Sequence, residues 1–423
     1  MRTAAILGIA GICAATPAFA DPSTGPSWTG VHFGGAVGMG GADITYTQDE
    51  IPNVQAERVY QYSDQNAVYS IHLGYDQQVT ENIVVGGEIG ADLLDFDIDP
   101  LNSGGFGNLF SADYDVTATA RAGYLTDPNT LIYGRLGLGA ISTSGEAGLQ
   151  GRATALLPAA VFGIGAETLI AKNLSARVEG NYLMPLQELV IPADGERFNP
   201  RYMRITAGLS WRLDAGDPAD RALAAAKNPE AFNGFYVGAT GGYNLSRMDV
   251  PIVTPGATVG PYASQGPTFG INTGVDVRLS DFVVGVGAEF APLSTAFRDP
   301  EQNSSQVGAT TLFGSLDATA MVTARLGFLA SPTTLLYAKG GVGYVQTTAN
   351  PEFFTFGSGG TRWLPGYQFG GGAETMVAPN VSLRLEGMMT QATEGFVVDL
   401  TQFGQASLYP STITTNAGLN WRF

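Results

Sequence analysis

Apolar and polar residues alternate with a period of two along many stretches of the chain. Between Leu174 and Tyr182, the residues Leu, Ala, Val, Gly and Tyr alternate with Ser, Arg, Glu and Asn. This period is typical of β-strands, in which successive side chains point to opposite faces of the sheet. The same alternation recurs over residues 115–124 and 205–213. The pattern therefore predicts strands with one apolar and one polar face.

The first half of the chain divides into about eight such stretches, and the connections between them alternate in length. Short turns are predicted at 80–81, 127–129 and 172–173, and the other connections are long. Short turns on one side and long loops on the other are typical of outer-membrane β-barrels. The predicted strands centre near residues 31–41, 67–79, 82–96, 112–126, 130–143, 158–170, 173–189 and 202–213, with long loops near 42–66, 97–111, 144–157 and 190–201.

The second half of the chain repeats the first. Residues 165–180 match residues 372–387 in the pattern Gly-Ala-Glu-Thr-x-x-Ala-x-Asn-x-Ser-x-Arg-x-Glu-Gly, and residues 207–213 match 417–423. Such self-similarity indicates a duplicated structural unit. The sequence therefore predicts an all-β fold of transmembrane antiparallel β-barrels, with two tandem eight-stranded units as the first interpretation and one sixteen-stranded barrel as the alternative. The units are expected at residues 21–213 and 232–423.

The two faces of the predicted strands are assigned by the solvent that each must meet. Lipid offers no hydrogen bonds, so the apolar set should face lipid and the polar set the lumen. An eight-stranded barrel is narrow enough for side chains to fill, and buried charges must then be paired. Each copy carries three acids and four bases on the inward face, which predicts a plug of ion pairs; a charged path for solutes is the alternative. The predicted lumen network comprises Glu88, Arg121, Arg135, Glu167, Arg177, Glu179 and Arg212 in the first copy, and Glu289, Arg325, Lys339, Glu374, Arg384, Glu386 and Arg422 in the second.

The N-terminus has the features of an export signal. Arg2 supplies a positive charge, Ala4–Ala15 is a short apolar segment, and Ala18-Phe19-Ala20 has the form of a cleavage site. These features predict a signal peptide over residues 1–20. The single cysteine, Cys13, lies within it, so the mature chain should carry no thiol in the oxidising periplasm.

Charge and composition narrow the function further. The formal net charge is −17 and there is no basic cluster, which argues against a nucleic-acid partner. No nucleophile–base pair accompanies the carboxylates, so we predict no catalytic residue and no cofactor. The two histidines, His32 and His72, are inward in the first copy, but no third ligand has metal-type spacing, and a hydrogen-bonded lumen role is expected instead of a metal site. The acids Asp92, Asp95, Asp97 and Asp99 are expected to be solvated where a strand meets a loop, with Ca²⁺ binding or a divalent-ion bridge to lipopolysaccharide as the alternative.

The repeated Gly-Ala-Glu-Thr block, the stretches ending at Tyr133 and Tyr337, and the final Asn-Trp-Arg-Phe423 resemble the porin-family outer-membrane β-barrel proteins. That family includes the small immunogenic surface proteins of Gram-negative bacteria and, more distantly, the OmpA barrel. The resemblance implies an eight-stranded barrel in the outer membrane, with outer-membrane lipid and lipopolysaccharide around it. It also implies insertion by the barrel-assembly machinery, which reads a C-terminal strand ending in an aromatic residue. Leu419, Trp421 and Phe423 fit that assembly signal, whereas the first copy ends in Leu213.

The segment between the two copies, residues 214–231, is predicted to be a periplasmic linker with a short helix. Eighteen residues are long for a turn inside one merged barrel, which favours two barrels. The predicted function is a non-enzymatic structural or surface role in the cell envelope, with loops exposed to a partner that the sequence does not identify. The alternative is a diffusion porin for small solutes through a sixteen-stranded barrel, which would enclose water.

Overall fold

A computed structural model describes residues 27–48, 58–99, 109–147, 151–192, 195–213, 215, 231–251, 258–300, 310–350, 359–400 and 404–423. The predicted signal peptide and nearly all of the predicted linker lie outside these residues. Within the described residues, no helix is long and apolar enough to cross a membrane. The regular structure of these residues consists of nineteen strands whose pairings are antiparallel, so the predicted all-β antiparallel class is confirmed.

The strands of the first copy follow one another round a closed sheet. Each long strand pairs with the next one along the chain, and the first also pairs with the last, so that His32 is opposite Arg212. The strands are β1 (Gly30–Gln48), β2 (Arg58–Gln78), β3 (Ile83–Ile98), β4 (Phe110–Asp127), β5 (Thr130–Ala147), β6 (Gly151–Ala171), β7 (Leu174–Pro185), β8 (Leu189–Val190) and β9 (Arg197–Arg212).

The second copy has the same order of pairing. Its first and last strands pair as well, which puts Tyr236 opposite Arg422. The strands are β10 (Gly234–Pro251), β11 (Thr258–Leu279), β12 (Phe282–Pro292), β13 (Phe297–Pro300), β14 (Thr310–Ser331), β15 (Thr334–Ala349), β16 (Gly360–Ala378), β17 (Val381–Ala392), β18 (Phe396–Leu400) and β19 (Gly404–Arg422). The strand count exceeds the predicted sixteen because the short strands β8, β13 and β18 form at the long-loop end.

The strands extend much further into the long connections than the sequence predicts. β1 continues to Gln48, β2 begins at Arg58, and these two residues are still paired. Similarly, β6 begins at Gly151 and β9 at Arg197, inside segments predicted as loops. In these extensions the alternation continues with its polarity reversed: apolar side chains such as Ile44 and Tyr46 are buried inside, and polar residues such as Thr45 point outward. The apolar outward pattern therefore ends before the backbone pairing of the hairpins does.

The predicted faces are present on most strands. Val37 is 59% exposed on the outer surface, and Leu138 is 63% exposed, whereas the charged Glu167 is fully buried in the interior. The predicted lipid-facing side of β7 differs: Val178 and Gly180 point outward but are buried, and Val178 is only 8% exposed. It packs with Ala373 of the second copy, so this part of the outer wall contacts protein instead of lipid.

Each lumen contains three layers along its axis. At the short-turn end, an apolar cluster closes the first copy around Trp28, whose indole Nε1 donates to the carbonyl oxygen of Pro128 at 3.0 Å. At the long-loop end a larger apolar cluster includes Phe96, Phe110 and Phe198. The second copy has corresponding clusters, with Phe232 at the short-turn end. The predicted charges lie between these apolar layers.

Candidate functional site

The charged layer forms because inward residues of neighbouring strands meet at one height. Strand pairing sets Arg121 opposite Arg135, and Glu167 opposite Arg177. The side-chain period of two then keeps all four on the inner face. All fourteen predicted network residues line the two lumens, and the structure brings each set of seven together within its own copy.

In the first copy, one group of charges centres on Glu167. The Arg121 Nη1 lies 3.0 Å from Glu167 Oε2, and the Arg212 Nη1 lies 2.9 Å from Glu167 Oε1. The hydroxyl of Ser175 donates to the same carboxylate at 2.6 Å. Both guanidinium groups also contact Asp76, with Arg121 Nε donating to Asp76 Oδ1 at 2.7 Å. Two bases therefore share two acids in a closed arrangement.

A second group in the first copy centres on Glu88 and Glu179. The Arg177 Nη1 lies 2.8 Å from Glu88 Oε2, and Arg177 also pairs with Glu179. The Arg135 Nη1 bridges the two acids, at 3.1 Å from Glu88 and 3.0 Å from Glu179. The hydroxyl of Tyr133 donates to Glu179 as well. The group is thus neutralised within itself.

The second copy repeats both groups with one lysine in place of an arginine. Arg325 and Arg422 share Glu374 and Asp276, with Nη–carboxylate distances of 2.8 Å for Arg325–Glu374 and 2.7 Å for Arg422–Glu374. The other group contains Glu289, Lys339, Arg384 and Glu386; Lys339 Nζ lies 2.6 Å from Glu289 and 2.8 Å from Glu386.

The sequence reasoning missed the fourth acid in each copy. Asp76 and Asp276 are buried at the centre of the first group, and with them each predicted network has four acids and four bases. The available signal was the alternation along β2, which places Asp76 on the same face as His72. Full charge balance explains how so many ionised groups can be buried, since an unpaired buried charge costs several kcal/mol.

A third polar group exists in the first copy and has no counterpart in the second. Arg204 pairs with Asp92, at 2.7 Å, and with Asp115, all three buried in the lumen. The expectation that Asp92 is solvated is therefore wrong, because the strand continues and turns its side chain inward; Asp95 on the opposite face is exposed. The equivalent residues of the second copy are Leu293, Thr319 and Thr414.

The loss of this group leaves space in the second lumen. A polar cavity of about 40 Å³ lies above the ion pairs, lined by Glu289, Gln368 and several threonines. The side chain of Glu289 is 20% exposed, whereas that of Glu88 is 2% exposed. The second lumen is thus less tightly packed than the first.

The two histidines meet in the first lumen, as their neighbouring strands allow. Their ring centroids are 6.0 Å apart, and Glu88 is a third residue whose ligand atom lies within 4.8 Å of both. Glu88 lies on β3, the strand paired with the one that carries His72, so strand pairing supplies a third candidate ligand that spacing along the sequence did not indicate. Hydrogen bonds occupy the Nε2 atom of each ring: Arg121 Nη2 lies 3.1 Å from that of His32, and Ser210 Oγ lies 2.7 Å from that of His72. These contacts fit the expected hydrogen-bonded lumen role.

The predicted assembly signal lies on the outer surface of β19. Leu419, Trp421 and Phe423 are exposed on the lipid-facing side, and the Phe423 ring packs on Phe235 of β10 with centroids 5.6 Å apart. The closing strand of the first copy exposes Trp211 in the same way.

An exposed apolar belt, a closed antiparallel sheet and a charged interior together define a transmembrane β-barrel protein. Residues 27–217 match the OmpA-like transmembrane domain, and residues 222–423 match the outer membrane protein beta-barrel domain, so the two matches cover nearly the whole chain. The chain is an outer-membrane β-barrel protein of these families and is located in the outer membrane.

Similar solved structures are also outer-membrane proteins. Neisserial surface protein A is 15% identical, with a TM-score of 0.26, over 45% of this chain and 98% of its own. Ail, the attachment invasion locus protein of Yersinia pestis, is 16% identical, with a TM-score of 0.25, over 43% and 99%. The Pseudomonas putida toluene transporter TodX is 10% identical, with a TM-score of 0.27, over 93% and 90%. No curated protein matches the sequence significantly. Likeness at this level carries no information on what this chain binds or transports.

Proposed function

We propose that this protein is a non-enzymatic structural component of the outer membrane, built from two separate eight-stranded barrels with closed lumens. The observation that carries the proposal is the filling of each lumen: balanced buried ion pairs lie between two apolar clusters. Packing of this kind among the described residues would hinder the passage of water and solutes. The protein would then have a structural role at the cell surface. The chain would hold two barrels in the membrane and expose their long loops on the outer side.

The strand pairing supports two barrels. β1 pairs with β9, and β10 pairs with β19, so the first and last strands of each copy are joined to one another. A merged barrel would instead need β9 beside β10. Among the described residues, that pairing is missing, and the strand bridge that joins the copies is Tyr62 to Tyr262, near the long-loop end. The units would then be residues 21–213 and 232–423, joined by a periplasmic linker over 214–231.

The partners that we propose for this protein follow from its outward-facing residues. The exposed apolar belt would contact outer-membrane lipid and lipopolysaccharide, and the β19 residues ending in Phe423 would be read by the barrel-assembly machinery. The network residues would act as stabilising ion pairs instead of a catalytic or conducting site.

Diffusion of small solutes is the second candidate, and the cavity beside Glu289 favours it. If the protein conducts solutes, the lumen of the second copy would open further. Its ion-paired side chains would then rearrange to line a channel.

Single-channel recording on the refolded full-length protein separates the two candidates. Closed eight-stranded barrels should give little or no conductance, whereas a wet channel should give large, stable steps. Stable steps that are abolished by Lys339→Met, but unchanged by Arg135→Met at the equivalent position of the first copy, would replace the structural proposal with transport through the second lumen.

A further inference from the structure

A cleft of about 310 Å³ lies between the two copies, outside both lumens. One wall is the outer surface of β1 and β9 in the first copy. The other is β11 and the segment between β12 and β13 in the second copy. The cleft lies beyond the apolar belt, since β1 exposes apolar side chains as far as Val37 and reaches the cleft six residues later, at Asp43.

Asp43 is the acidic residue on the wall that the first copy contributes to the cleft. Its side chain is outward but only 5% exposed, because the second copy covers it. Strand pairing places it between Ser63 on β2 and Arg201 on β9. The Oδ1 atom of Asp43 has no hydrogen bond of normal geometry within the described part of the chain, and the Ser63 hydroxyl is the uncharged donor beside this carboxyl. A buried carboxylate with only a hydroxyl beside it lacks the charged donor that would compensate its burial.

Arg201 forms the opposite charge on the same wall. It is directly across from Asp43 in the strand register and lines the cleft, yet the two side chains are not joined by an ion pair among the described residues. Asp43 and Arg201 are the charged residues that line the cleft, so its walls are neutral overall but carry a carboxylate and a guanidinium side by side.

Most of the remaining lining is polar, and Ile44, Ala263 and Ala296 are its apolar residues. Gln61 and Asn199 come from the first copy, and Gln265 from the second. The ring of Tyr243 lines the cleft, and its hydroxyl donates to Gln265 Oε1 at 3.3 Å. Side-chain amides both donate and accept hydrogen bonds, so these residues suit a small polar solute.

We infer that this cleft binds a small zwitterion of the α-amino acid class, with its ammonium group on Asp43 and its carboxylate on Arg201. A ligand with one charge of each sign satisfies both side chains without leaving a net charge in a partly buried site. Guanidinium and carboxylate groups form strong paired hydrogen bonds, and an ammonium group would give Asp43 a charge-assisted donor beside the Ser63 hydroxyl. The inference goes beyond the structural role proposed above, and it holds whether or not the lumens conduct.

The test is ligand binding to the refolded full-length protein in detergent micelles. Glycine, L-alanine and L-glutamine are titrated at pH 8, where Asp43 is ionised and the amino acids are still zwitterions, and binding is followed by calorimetry or by ligand-observed NMR. Alanine methyl ester, which lacks the carboxylate, and N-acetylalanine, which lacks the ammonium group, serve as matched ligands, and glucose serves as a neutral polyol. We expect at least one of the three amino acids to bind saturably, and the matched ligands to bind at least tenfold more weakly.

Substitutions then locate the site. Asp43→Asn and Arg201→Gln should each weaken binding at least tenfold, whereas the exposed Asp95→Asn and Arg298→Gln, which do not line the cleft, should leave it unchanged. Heat-modifiable gel bands verify that each variant is folded. Absence of saturable binding at millimolar amino acid, equal binding of the methyl ester, stronger binding of glucose, or binding that persists in both cleft variants would each overturn the inference.

Discussion

Gly387 lies against the side chain of Ile205, across the contact between the two copies. A Cβ atom at Gly387 would overlap the Cδ1, Cγ1 and Cγ2 atoms of Ile205. The equivalent contact occurs in the other direction: a Cβ at Gly180 would overlap Thr415 Cγ2. Gly180 matches Gly387, and Ile205 matches Thr415, in the sequence repeat. The contact is therefore isologous, as in a dimer with a two-fold axis.

A matching polar contact lies at the short-turn end. The hydroxyl oxygens of Thr130 and Thr334, equivalent in the repeat, are 2.9 Å apart, and Thr375 Oγ1 lies 2.9 Å from that of Thr334. Small residues and short hydroxyl side chains allow close approach of membrane-embedded surfaces. The two walls thus form an internal interface with complementary shapes.

Gly387→Val should destabilise the full-length protein by about 1–3 kcal/mol, because the added atoms overpack the contact with Ile205. The matched control is Gly340→Val, also an outward glycine of the second copy, where a Cβ meets nothing nearer than 3.8 Å. Urea unfolding in detergent measures the difference. Equal effects of the two substitutions would show that the contact between the copies does not contribute to stability.

Removing one base from the lumen should cost more than removing an exposed one. Arg121→Ala leaves Asp76 and Glu167 without one of their partners in a buried site, for which the expected loss is about 3–5 kcal/mol. Arg152→Ala on the exposed surface should change the stability by less than about 0.5 kcal/mol. Comparable losses in an unfolding titration would contradict the ion-pair plug.

Arginine on the lipid-facing side should destabilise according to depth. Leu138 is near the middle of β5 and highly exposed, so Leu138→Arg is expected to cost about 2–4 kcal/mol at the bilayer midplane. Val79→Arg, at the short-turn end of β2, should cost about 0–1 kcal/mol. Unfolding in lipid vesicles tests the order, and a larger cost at Val79 would reverse the assignment of membrane depth.

The two copies should fold separately if they are independent barrels. Residues 21–213 and 232–423, expressed apart and refolded in detergent, should each give a heat-modifiable gel band. In addition, cleavage within 214–231 should leave both halves folded. If neither half folds while the full chain does, a merged sixteen-stranded barrel takes the place of the two-barrel proposal.

Burial raises the pKa of Asp43 from 3.8 to about 7, while a hydrogen bond with Ser63 and the charge of Arg201 partly oppose the rise. The folded state therefore holds a proton that the unfolded state releases at lower pH. This contribution to stability is complete below about pH 4 and is lost as the pH rises through about 7. Asparagine does not ionise, so the stability of Asp43→Asn should not fall in this way as the pH rises. The free energy of unfolding of the variant minus that of the parent should therefore grow from pH 5 to pH 8. A difference that does not change with pH would show that the carboxyl is not protonated in the folded protein.

The sequence by itself determined the class of protein and the orientation of its strands. Alternation with a period of two survives in any antiparallel barrel, so it identified the strands, the lipid-facing surface and all fourteen inward charges. The repeat identified the equivalence of the copies. Strand ends were less predictable, as at Gln48 and Arg58, because beyond the membrane the outward residues are polar and the apolar ones point inward, so the pattern of a lipid-facing strand ends before the pairing does.

Tertiary structure decided which groups meet. Asp76 joins Arg121 and Arg212 because the curvature of the sheet brings strands that are distant in sequence to one height in the lumen. Val178 is removed from lipid because a second copy covers it, and alternation cannot distinguish an outward face in lipid from one against protein. The same packing buries Asp43 beside Arg201. The cleft depends on how the two copies are placed relative to each other, and the alternation of residues within either copy does not reveal that placement.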